Sequence, residues 1–192
     1  MVRMQRPVHV VGVGMIPFTK PGASDPYTVM GAHAAQRALD DAGIDYGLVQ
    51  QAYVGYVYGD STAGQAALYR VGMSGVPVFN VNNNCSTGSS ALFLARQAVE
   101  SGMVECALAL GFEQMVPGAL KGAYDDRPSP IARFAETMTA HQGFDAAAPR
   151  AAQLFGGAGR DYMREHGIRA DTFGRISVKA DRKSTRLNSS HA

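Results

Sequence analysis

Cysteine is scarce in this chain. Its 192 residues hold two, Cys85 and Cys106, and neither belongs to a Cys-x-x-Cys pair. That excludes a disulfide framework and points to a reducing compartment, cytosolic or organellar. Long apolar runs are missing too. No stretch approaches the length needed to span a bilayer, and the N-terminal MVRMQRP lacks the apolar core of a signal peptide, so a soluble protein is expected. Charge of one sign is also in short supply. The net charge of +2 resides in residues 181–192, DRKSTRLNSSHA, where Arg182, Lys183 and Arg186 stand against Asp181. The remainder carries 15 basic and 15 acidic residues and shows no basic stripe interleaved with aromatics, which excludes a nucleic-acid partner. A dinucleotide fingerprint is absent as well: Gly12 and Gly14 begin one, but Pro17 stands where its third glycine belongs.

What the chain does have is apolar content, 46% of its residues, enough to bury a core in one domain with an appendage. Its centre is the stretch from Val76 to Glu113, VPVFNVNNNCSTGSSALFLARQAVESGMVECALALGFE. Val76, Val78, Phe79 and Val81 are β-prone, and the three asparagines after them favour a turn. Cys85 follows at once. From Ser86 a helical pattern sets in, with Leu92, Ala95 and Val99 on one face, Ala91, Leu94 and Ala98 beside them, and Gly102 as the residue that ends it. The unbroken apolar run from Cys106 to Leu110 suits a parallel strand covered on both faces. This predicts a strand, turn, helix and strand with a thiol at the first strand's exit. A thiol at a helix N-terminus meets unsatisfied N–H groups and the positive end of the dipole, both of which favour thiolate, the nucleophilic form. The alternative for Cys85 is a small buried apolar residue.

Along the rest of the chain, Val8 to Val13 reads as a first strand whose glycines let the chain turn away. Asp25 and Pro26 predict the N-cap and first residue of a helix containing Val29, Ala32, Leu39 and Ala42, closed by Gly43. His33 inside it reads as packing or solvent-facing. Ala52 to Tyr58 reads as a strand, and Ala66 to Val71 as a short helix ended by Gly72. After Glu113, Gly118, Gly122, Pro128 and Pro130 break the pattern. Ser129 and Pro130 predict the start of a helix through Ile131, Phe134 and Met138. A further helix is expected from Arg150 to His166, closed by Gly167, and a last one capped by Asp171. His141 and His166 read as surface residues. The polar string 181–192 resembles the translation of a sequencing adapter and is expected to be non-native, with native sequence ending near Ala180.

Asn82-x-x-Cys85-x-x-Gly88, followed by ALALGFEQM, resembles the nucleophile region of thiolases, with Thr87 where many of them carry serine. GVGMIPF, AYVGYVYGDSTAGQ, VNNNCSTGSSALFLARQ and QLFGGAGRDYMREHG are similar to one branch, the thiolase domain of the sterol-carrier-protein-x and lipid-transfer type. The resemblance implies a layered α/β fold: a thiolase N-terminal α/β domain over 1–117, an incomplete helical loop-domain excursion over 118–180, and the tail over 181–192. It implies Cys85 as the nucleophile of acyl transfer between a 3-oxoacyl-CoA and CoA, in lipid or sterol side-chain metabolism. CoA would be a co-substrate, with no bound cofactor and no metal, and the full-length protein a homodimer in the cytoplasm of a bacterium or the peroxisome of a eukaryote. Gln65 becomes a candidate neighbour of the site. Family motifs that supply the histidine and second cysteine, of the Gly-His-Pro and Cys-x-Gly kinds, do not occur here, and Cys106 reads as an inert strand residue. The chain on its own is therefore expected to be inactive. A thiolase-like retro-aldol lyase and a non-catalytic lipid-binding protein are the alternatives.

Overall fold

The computed structural model describes residues 6–117 and 126–190. The expected helix breakers Gly118 and Gly122 lie outside them. The chain falls into two compact units, residues 1–119 and 120–192.

In the first unit three parallel strands form one sheet: β1 (Gln51–Gly55) lies between β2 (Val78–Val81) and β3 (Ala107–Gly111). Ala52 pairs with Val78 on one side and Leu108 on the other, which places the two predicted apolar runs in a single sheet. Both faces are covered. Helices α1 (Tyr27–Ala42) and α2 (Ala63–Leu68) pack on one, where Ala35, Leu39, Leu68, Val54, Leu108 and Leu110 meet. Helix α3 (Thr87–Glu100) packs on the other, where Ala91, Ala95 and Ala98 lie against Tyr53, Ala107 and Ala109. This double cover is why β1 and β3 read as apolar runs with little alternation. Each fully buried leucine or valine, Leu68 and Val54 here, contributes roughly 1.5–3 kcal/mol through removal from water.

Several element boundaries differ from expectation. Helix α1 starts at Tyr27, and neither Asp25 nor Pro26 caps it with a side chain; the Tyr27 N–H donates to Gln114 Oε1 at 2.9 Å, a cap from far along the chain. Its end is as predicted, with Gly43 in the left-handed region and the Ile44 N–H bonding Leu39 O. Helix α2 begins three residues before the expected Ala66, because Asn80 supplies an acceptor to the Gly64 N–H at 3.0 Å. Helix α3 buries its alanine face and leaves Leu92 and Phe93 56% and 53% exposed, so the expected membership of Leu92 in the packed face is corrected. Small residues win that face because the helix sits close on the sheet. Gly102, with φ of +77°, ends it.

The strand expected at Val8–Val13 does not form. This segment lies along α1, with Gly12 and Gly14 against the backbone of Ala38 and Ala34, so close that a Cβ at either would overlap a carbonyl oxygen. The Val13 N–H donates to Asp41 Oδ2 at 2.8 Å and Arg37 Nη1 to Met15 O at 2.6 Å. Arg6 pairs with Glu105 at 2.5 Å. These side-chain contacts replace a strand ladder, and Val10 stays 74% exposed.

The second unit holds α4 (Ala132–Gln142), α5 (Arg150–His166) and α6 (Ala170–Ser190). Ser129 and Pro130 form a turn before α4, with the Ala132 N–H on Ser129 O, rather than its cap and first residue. Gln142 covers Gly157 of α5 and donates to Gln153 O at 2.9 Å; Gln153 in turn accepts from the Asp145 N–H and donates to Asp145 O and Ala148 O. Asp171 sits inside the first turn of α6, paired with Arg169 and Arg175, and is not its N-cap. Helix α6 runs from Ala170 to Ser190 without interruption, since no glycine or proline follows Gly174 to stop it.

Candidate active site

The sheet's three strands all end at one edge, and their exits differ in character. Strand β2 passes into Asn82–Ser86 and then α3. Asn82 Oδ1 accepts from the Asn84 N–H at 3.1 Å, an Asx turn, and Asn84 takes a φ of +47°, the left-handed region that asparagine tolerates better than most residues. The Ser86 Oγ–H and N–H both reach Asn83 O, at 2.8 and 3.1 Å. Asn83 Nδ2 donates to Ser90 Oγ at 2.9 Å. Thr87 closes the turn: its buried hydroxyl donates to Asn84 O at 2.5 Å and accepts from the Asn83 N–H at 2.9 Å. A dense set of short-range hydrogen bonds thus fixes the turn, and Cys85 is exposed within it.

The methyl of Thr87 has a defined place. It lies over Gly55, the last residue of β1, where a Cβ would come within 2.7 Å of Thr87 Cγ2. The missing side chain at residue 55 is what admits threonine in place of serine. Gly111 of β3 comes to the same first turn, its Cβ position 3.8 Å from Gly88 Cα, while the Cβ position of Gly88 itself meets no atom within 4 Å. Glycines at the ends of two strands therefore bring the start of α3 down onto the sheet edge, and the glycine after Cys85 leaves open space.

Cys106 is placed differently. It lies one residue before β3, half-buried, with its carbonyl accepting from the Gln50 N–H at 3.0 Å, and burial pushes its thiol above the ordinary range. Gln65 sits beside the strand leading to the site, its Oε1 accepting from Asn80 Nδ2 at 2.7 Å. His141 and His166 belong to the second unit. His141 Nε2 lies 2.9 Å from Asp161 Oδ2, a carboxylate that also takes Arg164 at 2.7 Å, and the His166 ring lies 4.4 Å from that of Tyr162. A groove of about 860 Å³ lined by Arg6, Tyr53, Leu94, Gln97, Ser101 and Met103 follows the C-terminal part of α3, away from Cys85.

Two residues bordering the site receive no role from the sequence, although Glu113 lies within the ALALGFEQM stretch. Asn80 holds the N-terminus of α2, and Glu113, just beyond β3, accepts from the Val57 and Tyr58 N–H groups at 2.9 and 3.0 Å. The available signal was the glutamate inside ALALGFEQM, two residues past the end of an apolar strand; its partner amides lie too far back in the chain for the local pattern to show them.

Residues 8–189 match the family described as thiolase, N-terminal domain. Sterol carrier protein 2 of Gallus gallus is 48% identical over 184 residues, which are 95% of this chain and 34% of that protein. Non-specific lipid-transfer protein-like 2 of Caenorhabditis elegans is 42% identical over 90% of this chain and 43% of its own length. Benzoylsuccinyl-CoA thiolase subunit BbsB of Thauera aromatica is 30% identical over 96% of this chain and 45% of its own. An Ltp2-ChsH2(DUF35) aldolase structure shares the fold, with a TM-score of 0.63 at 19% identity, covering 88% of this chain and 41% of that one. The chain spans about a third of the length of Sterol carrier protein 2. A family match across nearly the whole sequence, on parallel strands sandwiched between helices, makes this protein a member of the thiolase family that carries its N-terminal domain.

Proposed function

We propose that this chain supplies the nucleophile of a thiolase acting on 3-oxoacyl-CoA. The observation that carries the reading is the exposed Cys85 in a rigid strand-to-helix turn, at the end of a parallel sheet where ligands of open α/β folds bind. The Cys85 thiolate attacks the C3 carbonyl, a carbon–sulfur bond forms, and the C2–C3 bond breaks. The electron pair leaves on C2 of the departing CoA ester, which keeps C1 and C2, and takes a proton from an acid supplied beyond this chain. The CoA thiolate then attacks the Cys85 thioester, giving the shortened acyl-CoA and restoring the thiolate. The open space at Gly88 gives a substrate access to the turn, and the Cys85 N–H joins in binding the oxyanion. CoA serves as co-substrate. The whole protein acts as a homodimer in a reducing compartment, cytoplasmic or peroxisomal, with the β2 strand near the two-fold contact.

The test is thiolysis by a chain extended to the length of its relatives, with and without Cys85→Ser. A serine hydroxyl lacks the low pKa and soft nucleophilicity of a thiol, so the substitution should lower kcat by about a thousandfold or more. Retained thiolysis in Cys85→Ser defeats the reading, and cleavage of aldol substrates alone by the unsubstituted protein would favour the lyase.

A further inference from the structure

The exit of the central strand is held from both sides. Beyond β1 the chain runs from Tyr56 through a short loop into α2. On the β3 side, Glu113 Oε2 accepts from the Val57 N–H at 2.9 Å and Oε1 from the Tyr58 N–H at 3.0 Å. On the β2 side, Asn80 Oδ1 accepts from the Gly64 N–H at 3.0 Å, and its Nδ2 donates to Gln65 Oε1 at 2.7 Å. The register explains the symmetry, since Val54 pairs with Asn80 and Gly55 with Gly111. Within the loop, Gly59 fits under the Tyr56 ring, where a Cβ would lie 2.6 Å from a ring carbon, and Thr62 adopts a φ of +63°.

The sheet does not need the Glu113 contact. The β1–β3 ladder is already complete at Gly55 and Gly111, and the Phe112 N–H adds a bond to Gly55 O at 3.2 Å. The carboxylate reaches past the ladder to grip two successive amides of the loop, a pair of charge-assisted hydrogen bonds. Its own position is set by Phe112, whose ring stacks on Tyr27 at 5.3 Å and Tyr56 at 5.4 Å. With each oxygen engaged by a main-chain N–H, Glu113 is arranged as an anchor rather than as a proton carrier. The loop it anchors presents the half-exposed Tyr58 at the same sheet edge as Cys85.

Building on the acyl-transfer reading, we propose that Glu113 is a positioning residue: with Asn80 opposite, it holds the loop from Val57 to Ala63 as a fixed wall of the acyl-chain subsite beside Cys85. The experiment uses the 192-residue chain, unsubstituted, Glu113→Ala and Glu113→Gln. Amide exchange is read at Val57 and Tyr58, with Tyr53 and Val54 of β1 as internal references. Cys85 is alkylated by iodoacetamide and by an N-dodecyl iodoacetamide, the same reactive group with and without a chain. Loss of the anchor should raise exchange at Val57 and Tyr58 by about tenfold relative to the references. It should also lower the ratio of long-chain to short-reagent labelling by about fivefold, because a mobile wall no longer guides the chain. Glu113→Gln, which keeps the size but turns one acceptor into a donor facing an N–H, should shift both readouts in the same direction. Unchanged exchange in both variants overturns the clasp, and raised exchange with an unchanged labelling ratio overturns the positioning role. Thiolysis by Cys85→Ser is read separately, so a failure of the acyl-transfer reading is distinguishable from a failure here.

Discussion

Two thiols in one domain meet opposite environments. Cys85 stands exposed in a turn opening a 14-residue helix, while Cys106 is half-buried before a strand, its thiol raised by desolvation. A raised thiol keeps its proton to higher pH, so the neutral form that the fold favours is fully present below the ordinary thiol range and is lost as pH rises above it. Iodoacetamide reacts with thiolate. At pH about 8, near the free-thiol value, Cys106 should therefore label several-fold more slowly than Cys85, with its rate climbing only at higher pH. Mass spectrometry of the labelled peptides checks this. Faster labelling of Cys106 would remove Cys85 from its assigned role.

At the scale of elements, the start of α3 is where packing and chemistry meet. Thr87 is a buried polar residue whose hydroxyl is satisfied within the turn and whose methyl needs the space left by Gly55. Gly55→Ala puts a methyl 2.7 Å from Thr87 Cγ2 and 3.0 Å from Thr87 O, with backbone that cannot swing aside as a side-chain tip can. The substitution should destabilise the chain by about 1–3 kcal/mol, measured by urea unfolding. Pairing it with Thr87→Ser should recover part of the loss, since the conflicting methyl is gone while the hydroxyl bonds remain. Absence of any recovery would mean that the threonine methyl is not what Gly55 accommodates.

For the molecule as a whole, a three-stranded sheet leaves the outer sides of β2 and β3 without a strand partner among the described residues, and Leu92 and Phe93 of α3 are exposed. Open edges and apolar patches of this kind favour association. The 192-residue chain should sediment as more than a monomer at about ten micromolar, in the range where such surfaces associate. A monomeric species with one sharp cooperative melt would show that these surfaces are tolerated. Among the described residues no helix is long and apolar enough to cross a membrane.

The sequence by itself determined the parts that depend on neighbours in the chain. The asparagine turn with Cys85 at its end, the apolar runs of β1 and β3, and the glycine ends of α1, α3 and α5 could all be read from local pattern. Local hydrogen bonding and the periodicity of burial act over a few residues, so their traces are local too. Tertiary structure alone decided what depends on distant partners. Gln114 caps α1 from 87 residues away, which no pattern around Asp25 could reveal. Asn80 moved the start of α2, and Glu113 found its amides 55 and 56 residues back along the chain. The valines of Val8–Val13 carry strand propensity, yet a strand also needs a neighbour offering its edge, and this segment instead fits its glycines to the backbone of α1. The same reason governs α3, whose apolar pattern admitted more than one buried face until the closeness of the sheet selected the alanines.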